Sequence, residues 1–282
     1  MKRLAVAYPA CWLLLLVTTF GFSLALWSFT ARADSDSISY RVPDDSRLPT
    51  GPEGEAIRLG KALLTDTRRR LPQHVGNGLN CSNCHLGAGT QPHASPWVGL
   101  IGAFPEYRAR SGKMISLQER INDCFERSMN GKALGFDSVE MNAMLSYIRW
   151  LSADYPAGTP IPGRGFVKID TSLKPDSARG QTIYSTKCAA CHGAEGQGIP
   201  DGAGGYVFPP LWGKDSFNIG AGMVRHLTAA AFVLKNMPVG QVGSLSAQDA
   251  IDVAWYFTQQ PRPDFPARVK DWPKGGKPAD AR

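Results

Sequence analysis

Two short runs carry donor atoms at a spacing that restricts their chemistry: Cys81-Ser82-Asn83-Cys84-His85 and Cys188-Ala189-Ala190-Cys191-His192. In C-x-x-C-H the two thiols share one turn and the imidazole follows at once. That order suits covalent attachment of haem c, with both sulfurs forming thioethers to the vinyl groups and the histidine binding iron on the proximal side. Zinc would need further Cys or His at suitable spacing, and a thioredoxin-like redox pair is the other rival. Two complete motifs, each following a helical stretch, favour haem. The expectation is two covalently bound haem c groups, attached at Cys81, Cys84, Cys188 and Cys191, with His85 and His192 as proximal ligands.

The second axial ligands come from residues farther along. Met237, in Lys235-Asn236-Met237-Pro238, lies 45 residues after His192. A thioether followed by proline is a common distal arrangement in small c-type domains, and it raises the haem potential. Lys235 and His226 are weaker candidates. In the first half Met129 lies 44 residues after His85 and is the positional counterpart of Met237. Cys124 stands five residues before it. On a helix over residues 116–129, Arg120, Cys124, Arg127 and Ser128 share one face. A thiol beside guanidiniums loses its proton easily. On these residues alone, Cys124 and Met129 compete evenly for the first iron.

These groups need short helices to position them. Residues 54–70 and 176–187 read as helices that lead into the two motifs. Residues 138–151 and 247–259 read as closing helices. His85 to Tyr147 spans 62 residues and His192 to Tyr256 spans 64, the agreement expected of a duplicated unit. The fold class is therefore all-α, with two tandem class I cytochrome c-like domains over residues 34–151 and 175–260. The Pro- and Gly-rich stretch 152–174 joins them as a linker, and residues 261–282 form an irregular tail on the surface. Each domain is small, so a bound haem would be part of its core.

Lys2 and Arg3, an apolar run from Cys11 to Trp27, and Ala31-Arg32-Ala33 form an export signal, cut after Ala33. The expected location is the periplasm. Loss of Lys2, Arg3 and Arg32 lowers the net charge from +7 to +4, and haem propionates would bring it near neutral. The basic balance therefore gives no case for nucleic acid. Of six cysteines, Cys11 leaves with the signal and four serve haem, so Cys124 is left unpaired in an oxidising compartment.

Three runs together resemble dihaem thiosulfate dehydrogenases, some of which act as tetrathionate reductases. They are 77–86 (Asn77 to Leu86), 120–131 (Arg120 to Gly131) and Asn236-Met237-Pro238. The middle run is specific, and the likeness covers nearly the whole mature chain. The resemblance implies catalysis at the first haem, with His85 and the Cys124 thiolate as axial ligands. It implies that Arg110, Arg120 and Ser128 line the substrate pocket. It implies that His192 and Met237 ligate the second haem, which passes electrons to an external cytochrome. Some members carry Lys directly before this Met. Asn236 stands there here, so methionine ligation is the simpler assignment. The implied reaction joins two thiosulfates into tetrathionate. The rival readings are a dihaem electron carrier with Met129 on the first iron, a sulfur-carrier subunit that needs a partner, and a dihaem peroxidase.

Overall fold

Helix boundaries follow local capping chemistry. The computed structural model describes residues 39–282; the expected signal at 1–33 lies outside them. In the first half the helices are α1 (Gly51–Thr65), the short α2 (Thr67–Arg70), the tight turn α3 (Leu86–Gly89), α4 (Leu117–Arg127) and α5 (Val139–Trp150). In the second half they are α6 (Ser177–Lys187), α7 (Ala189–His192), α8 (His226–Asn236) and α9 (Ala247–Gln259). Ser116 and Glu119 form a capping box at the start of α4, and Ser246 and Asp249 do the same for α9. Asp176 caps α6 through its side chain, and Ser138 caps α5. The expected first helix, 54–70, instead starts at Gly51, with Pro52 in its first turn where a missing N–H is harmless, and breaks at Asp66.

Both halves are built around the same crossing of first and last helices. A Cβ on Gly60 of α1 would lie 2.0 Å from the Ala143 carbonyl oxygen and 3.0 Å from Tyr147 Cβ on α5. A Cβ on Gly180 of α6 would lie 2.1 Å from the Asp252 carbonyl oxygen and 3.0 Å from Tyr256 Cβ on α9. Only glycine allows this approach, and its recurrence against equivalent tyrosines is the structural trace of the duplication. The first core gathers Leu64, Phe125, Met141, Met144, Tyr147 and Ile148; the second gathers Tyr184, Ala229, Ile251, Val253 and Phe257.

The all-α expectation needs one small amendment. Two short antiparallel ladders are present: β1 (Glu106–Arg108) with β2 (Lys113–Ile115), and β3 (Ile199–Pro200) with β4 (Tyr206–Phe208). No helix among the described residues is long and apolar enough to cross a membrane.

The segments between and after the helical units hydrogen-bond to them. Within 152–174, the Gly163 carbonyl accepts from His93 N at 2.7 Å and the Gly165 carbonyl from Ser95 N at 2.9 Å. The tail does more than lie on the surface. Its 3-10 turn Pro266–Lys270 leads to Asp271, which takes a bidentate pair of hydrogen bonds from Arg127 at the end of α4, at 2.8 and 2.7 Å. Phe265 and Trp272 receive Arg127 and Arg110 over their rings. The loop 216–220 closes on the same helix end: Asn218 donates to the Glu126 carbonyl at 2.8 Å, and Asn77 bridges the carbonyls of Ser128 and Ser216.

Candidate active site

The first Cys-x-x-Cys-His run sits on a turn held by its own side chains. Asn80 and Asn83 cap each other around Cys81, and Thr67 at the start of α2 accepts from Cys81 N at 3.2 Å. His85 Nδ1–H donates to the Ser95 carbonyl at 2.6 Å. A carbonyl can only accept, so the proton lies on Nδ1 and the Nε2 lone pair is left for another partner.

Cys81, Cys84 and His85 line one pocket with Cys124, Arg120, Ser128 and Met129. Its walls are apolar, with Leu64, Leu79, Trp97, Leu117 and Ile148. Arg120 Nη1–H donates to Cys124 Sγ at 2.8 Å. They lie four residues apart on α4, the spacing that stacks side chains on one helical face. Burial pushes the Cys124 thiol up. The Arg120 charge, the contact with His85 and the hydrogen bond from Arg120 outweigh burial and leave it at about 6. Cys81 and Cys84 lack this guanidinium contact and burial drives both to about 12. Cys124 is therefore the pocket sulfur that loses its proton most easily, and it faces His85. Met129 lies among the core side chains at 3% exposure.

The residues fit a covalently held haem. Cys81, Cys84 and His85 share a largely apolar pocket with the Cys124 sulfur, and the Ser95 carbonyl already holds His85 Nδ1, which leaves Nε2 for iron. Among the described residues no group of three or more His, Cys, Asp or Glu converges to hold a bare metal ion, as a zinc site requires.

Arg110 is not among the residues that line this pocket. Arg110 hydrogen-bonds to the Gly220 carbonyl, stacks on Trp272 and lies 3.9 Å from Asp271. Burial and the nearby Arg127 lower its pKa to about 10. The cause is the hairpin. Alternation along β1 puts Glu106 and Arg108 on the inner face with Tyr107 outside, and the turn that ends at Gly112 (φ +65°) carries Arg110 away. Sequence reasoning missed Glu106 and Arg164, which line the pocket, and Arg108, which lies near Arg120 and Cys124 and pairs with Asp123 at 3.2 Å.

In the second half, His192 Nδ1–H donates to the Pro209 carbonyl at 2.8 Å, again freeing Nε2. Cys188 and Met237 pack against the same core cluster, and burial holds Cys188 at about 11. Met237 follows α8 directly. Asn236 is buried, and its amide donates to the His93 carbonyl at 3.2 Å and to Phe232. Lys235 is exposed, and His226 lies edge-on to Trp255. This donor set also suits haem c.

Known proteins resemble this chain in both halves. Residues 73–157 match the SoxA/TsdA cytochrome c domain model, and residues 177–260 match the cytochrome c model. A thiosulfate dehydrogenase of Psychrobacter arcticus is 48% identical over 88% of this chain and 76% of its own length. One of Allochromatium vinosum is 46% identical over 81% of this chain and 86% of its own. The solved thiosulfate dehydrogenase (TsdBA) of Marichromatium purpuratum, in its as-isolated form, superposes with a TM-score of 0.76 at 40% identity. That match covers 80% of this chain but half of the solved one.

Proposed function

From the premise that this chain belongs to the thiosulfate dehydrogenase family, we propose that it converts two thiosulfate ions to one tetrathionate and two electrons. The observation that carries the reading is the Arg120–Cys124 contact inside the pocket that His85 and the first cysteine pair share. A haem c bound through Cys81 and Cys84, with His85 and Cys124 as axial ligands, would supply the electron acceptor. A second, bound through Cys188 and Cys191 with His192 and Met237, would pass electrons to an external cytochrome.

The protein's own residues deal with charge and nucleophilicity. Two dianions repel as they approach, and a buried guanidinium offsets that repulsion with directed donors. Arg120 does this at the inner end of the pocket, and Ser128, one turn beyond Cys124, adds a neutral donor. Arg120 also keeps Cys124 anionic, and a thiolate is a soft nucleophile for sulfur. Cys124 Sγ bonds to the outer sulfur of the first thiosulfate as two electrons leave, giving a cysteine S-thiosulfonate. The outer sulfur of the second thiosulfate attacks the adjacent sulfur of that adduct. The S–S bond to Cys124 breaks, tetrathionate departs, and the thiolate is restored. An export signal at 1–33, cut after Ala33, would put this reaction in the periplasm.

The test is an assay of the purified holoprotein with thiosulfate and ferricyanide. One tetrathionate should appear for every two electrons accepted. A protein that exchanges electrons readily but consumes no thiosulfate on its own would instead be an electron carrier or need a partner subunit.

A further inference from the structure

We infer that Arg164, held between Gly163 and Gly165 at the pocket mouth, binds the sulfonate end of the second thiosulfate, and that Glu106 is the counter-charge it gives up. The inference rests on the reading of the pocket as a thiosulfate site.

The arginines around the pocket are not equally free. Arg120 donates to Cys124. Arg110 and Arg127 are bound to Asp271 and the Gly220 carbonyl. Arg108 lies against Asp123 at 3.2 Å. Arg164 lines the same pocket and makes one charged contact, a 3.5 Å approach to Glu106 Oε2, with side chains 42% and 35% exposed. A pair so long and so open to water is weak and readily exchanged for another anion.

The backbone holds Arg164 ready. Gly163 and Gly165, at φ +72° and +73°, flank it and offer their carbonyls to His93 N and Ser95 N. Arg164 N itself donates to the Ile161 carbonyl at 3.2 Å. The Ser95 carbonyl also orients His85, so the mouth and the reactive end share one support. Gly163 cannot be enlarged freely, because a Cβ there would lie 2.8 Å from Pro92 Cβ.

The chemistry calls for such a group. The second thiosulfate must enter toward an anionic adduct, with its sulfonate outward and its outer sulfur inward. A planar guanidinium at the entrance matches a tetrahedral oxyanion with two parallel donors. Glu106 lines the same pocket and also acts on Arg120, whose pKa it helps raise. It repels a dianion, so it limits entry to ligands that can displace it from Arg164.

The test is calorimetric titration of the holoprotein, both haems reduced beforehand so that no oxidation accompanies binding, with sodium thiosulfate, alongside steady-state turnover. Arg164→Gln should weaken binding and raise KM by roughly ten- to a hundredfold, with an unchanged haem spectrum and little change in kcat. Arg164→Lys should recover part of the loss, and Glu106→Gln should tighten binding. Thiosulfate affinity in Arg164→Gln within about twofold of the parent would overturn the assignment. A parent that binds thiosulfate through Arg164 yet never turns it over would keep the assignment and overturn the functional reading.

Discussion

Replacing Asp271 with alanine tests whether the C-terminal tail is a structural clamp. The carboxylate takes two hydrogen bonds from Arg127, at 2.8 and 2.7 Å, and the two side chains are 12% and 6% exposed. Arg110 Nε lies 3.9 Å away on the same carboxylate. Asp271→Ala leaves two largely buried guanidiniums without their shared anion. Breaking a buried pair from one side costs about 3–5 kcal/mol. In a domain of this size each kcal/mol lowers Tm by about 2–4 °C, so the expected drop is about 6–20 °C. Thermal unfolding followed by circular dichroism gives the value directly. The double variant Arg127→Met with Asp271→Leu should regain much of the loss, because it removes both charges together. A melting point for Asp271→Ala within about 2 °C of the parent would refute the argument.

Arg120→Gln removes the donor that favours the Cys124 thiolate, so protonation of that thiol moves to higher pH. The acid limb of the pH–activity profile should shift upward by about one to two units, the worth of one hydrogen bond to a charged group; an unmoved limb would deny Arg120 this role. Gly180→Ala drives a methyl into the Asp252 carbonyl and should cost about 1–3 kcal/mol or more, read as a lower urea midpoint. Asn236→Ala removes the contact from α8 to the His93 carbonyl. It should cost about 0.5–1.5 kcal/mol in the same measurement.

Much of the helical frame was readable because its signals are local. Asp176, Ser138 and Ser246 cap the helices they precede, and α9 spans the residues expected. The pairing of Arg120 with Cys124 was readable too, since four residues on a helix fix which side chains meet. Arg110 was not. Its direction depends on where a three-residue strand ends and a turn begins, and nothing in residues 106–112 says which arginine stays on the inner face. Arg164 was hidden for a different reason. Gly163 and Gly165 signal a turn, but a turn signal does not reveal that its carbonyls pair with residues 93 and 95, seventy positions earlier. The tail's contact was hidden in the same way, because Asp271 meets its partner Arg127 across 144 residues.

Thiosulfate oxidation by Cys124→Met tests the central claim most directly. The substitution keeps a sulfur donor in the pocket but removes the anionic nucleophile beside Arg120. The account predicts a folded protein with both haems attached, able to exchange electrons with a dye, whose tetrathionate formation falls to background. Turnover close to the parent's would contradict it.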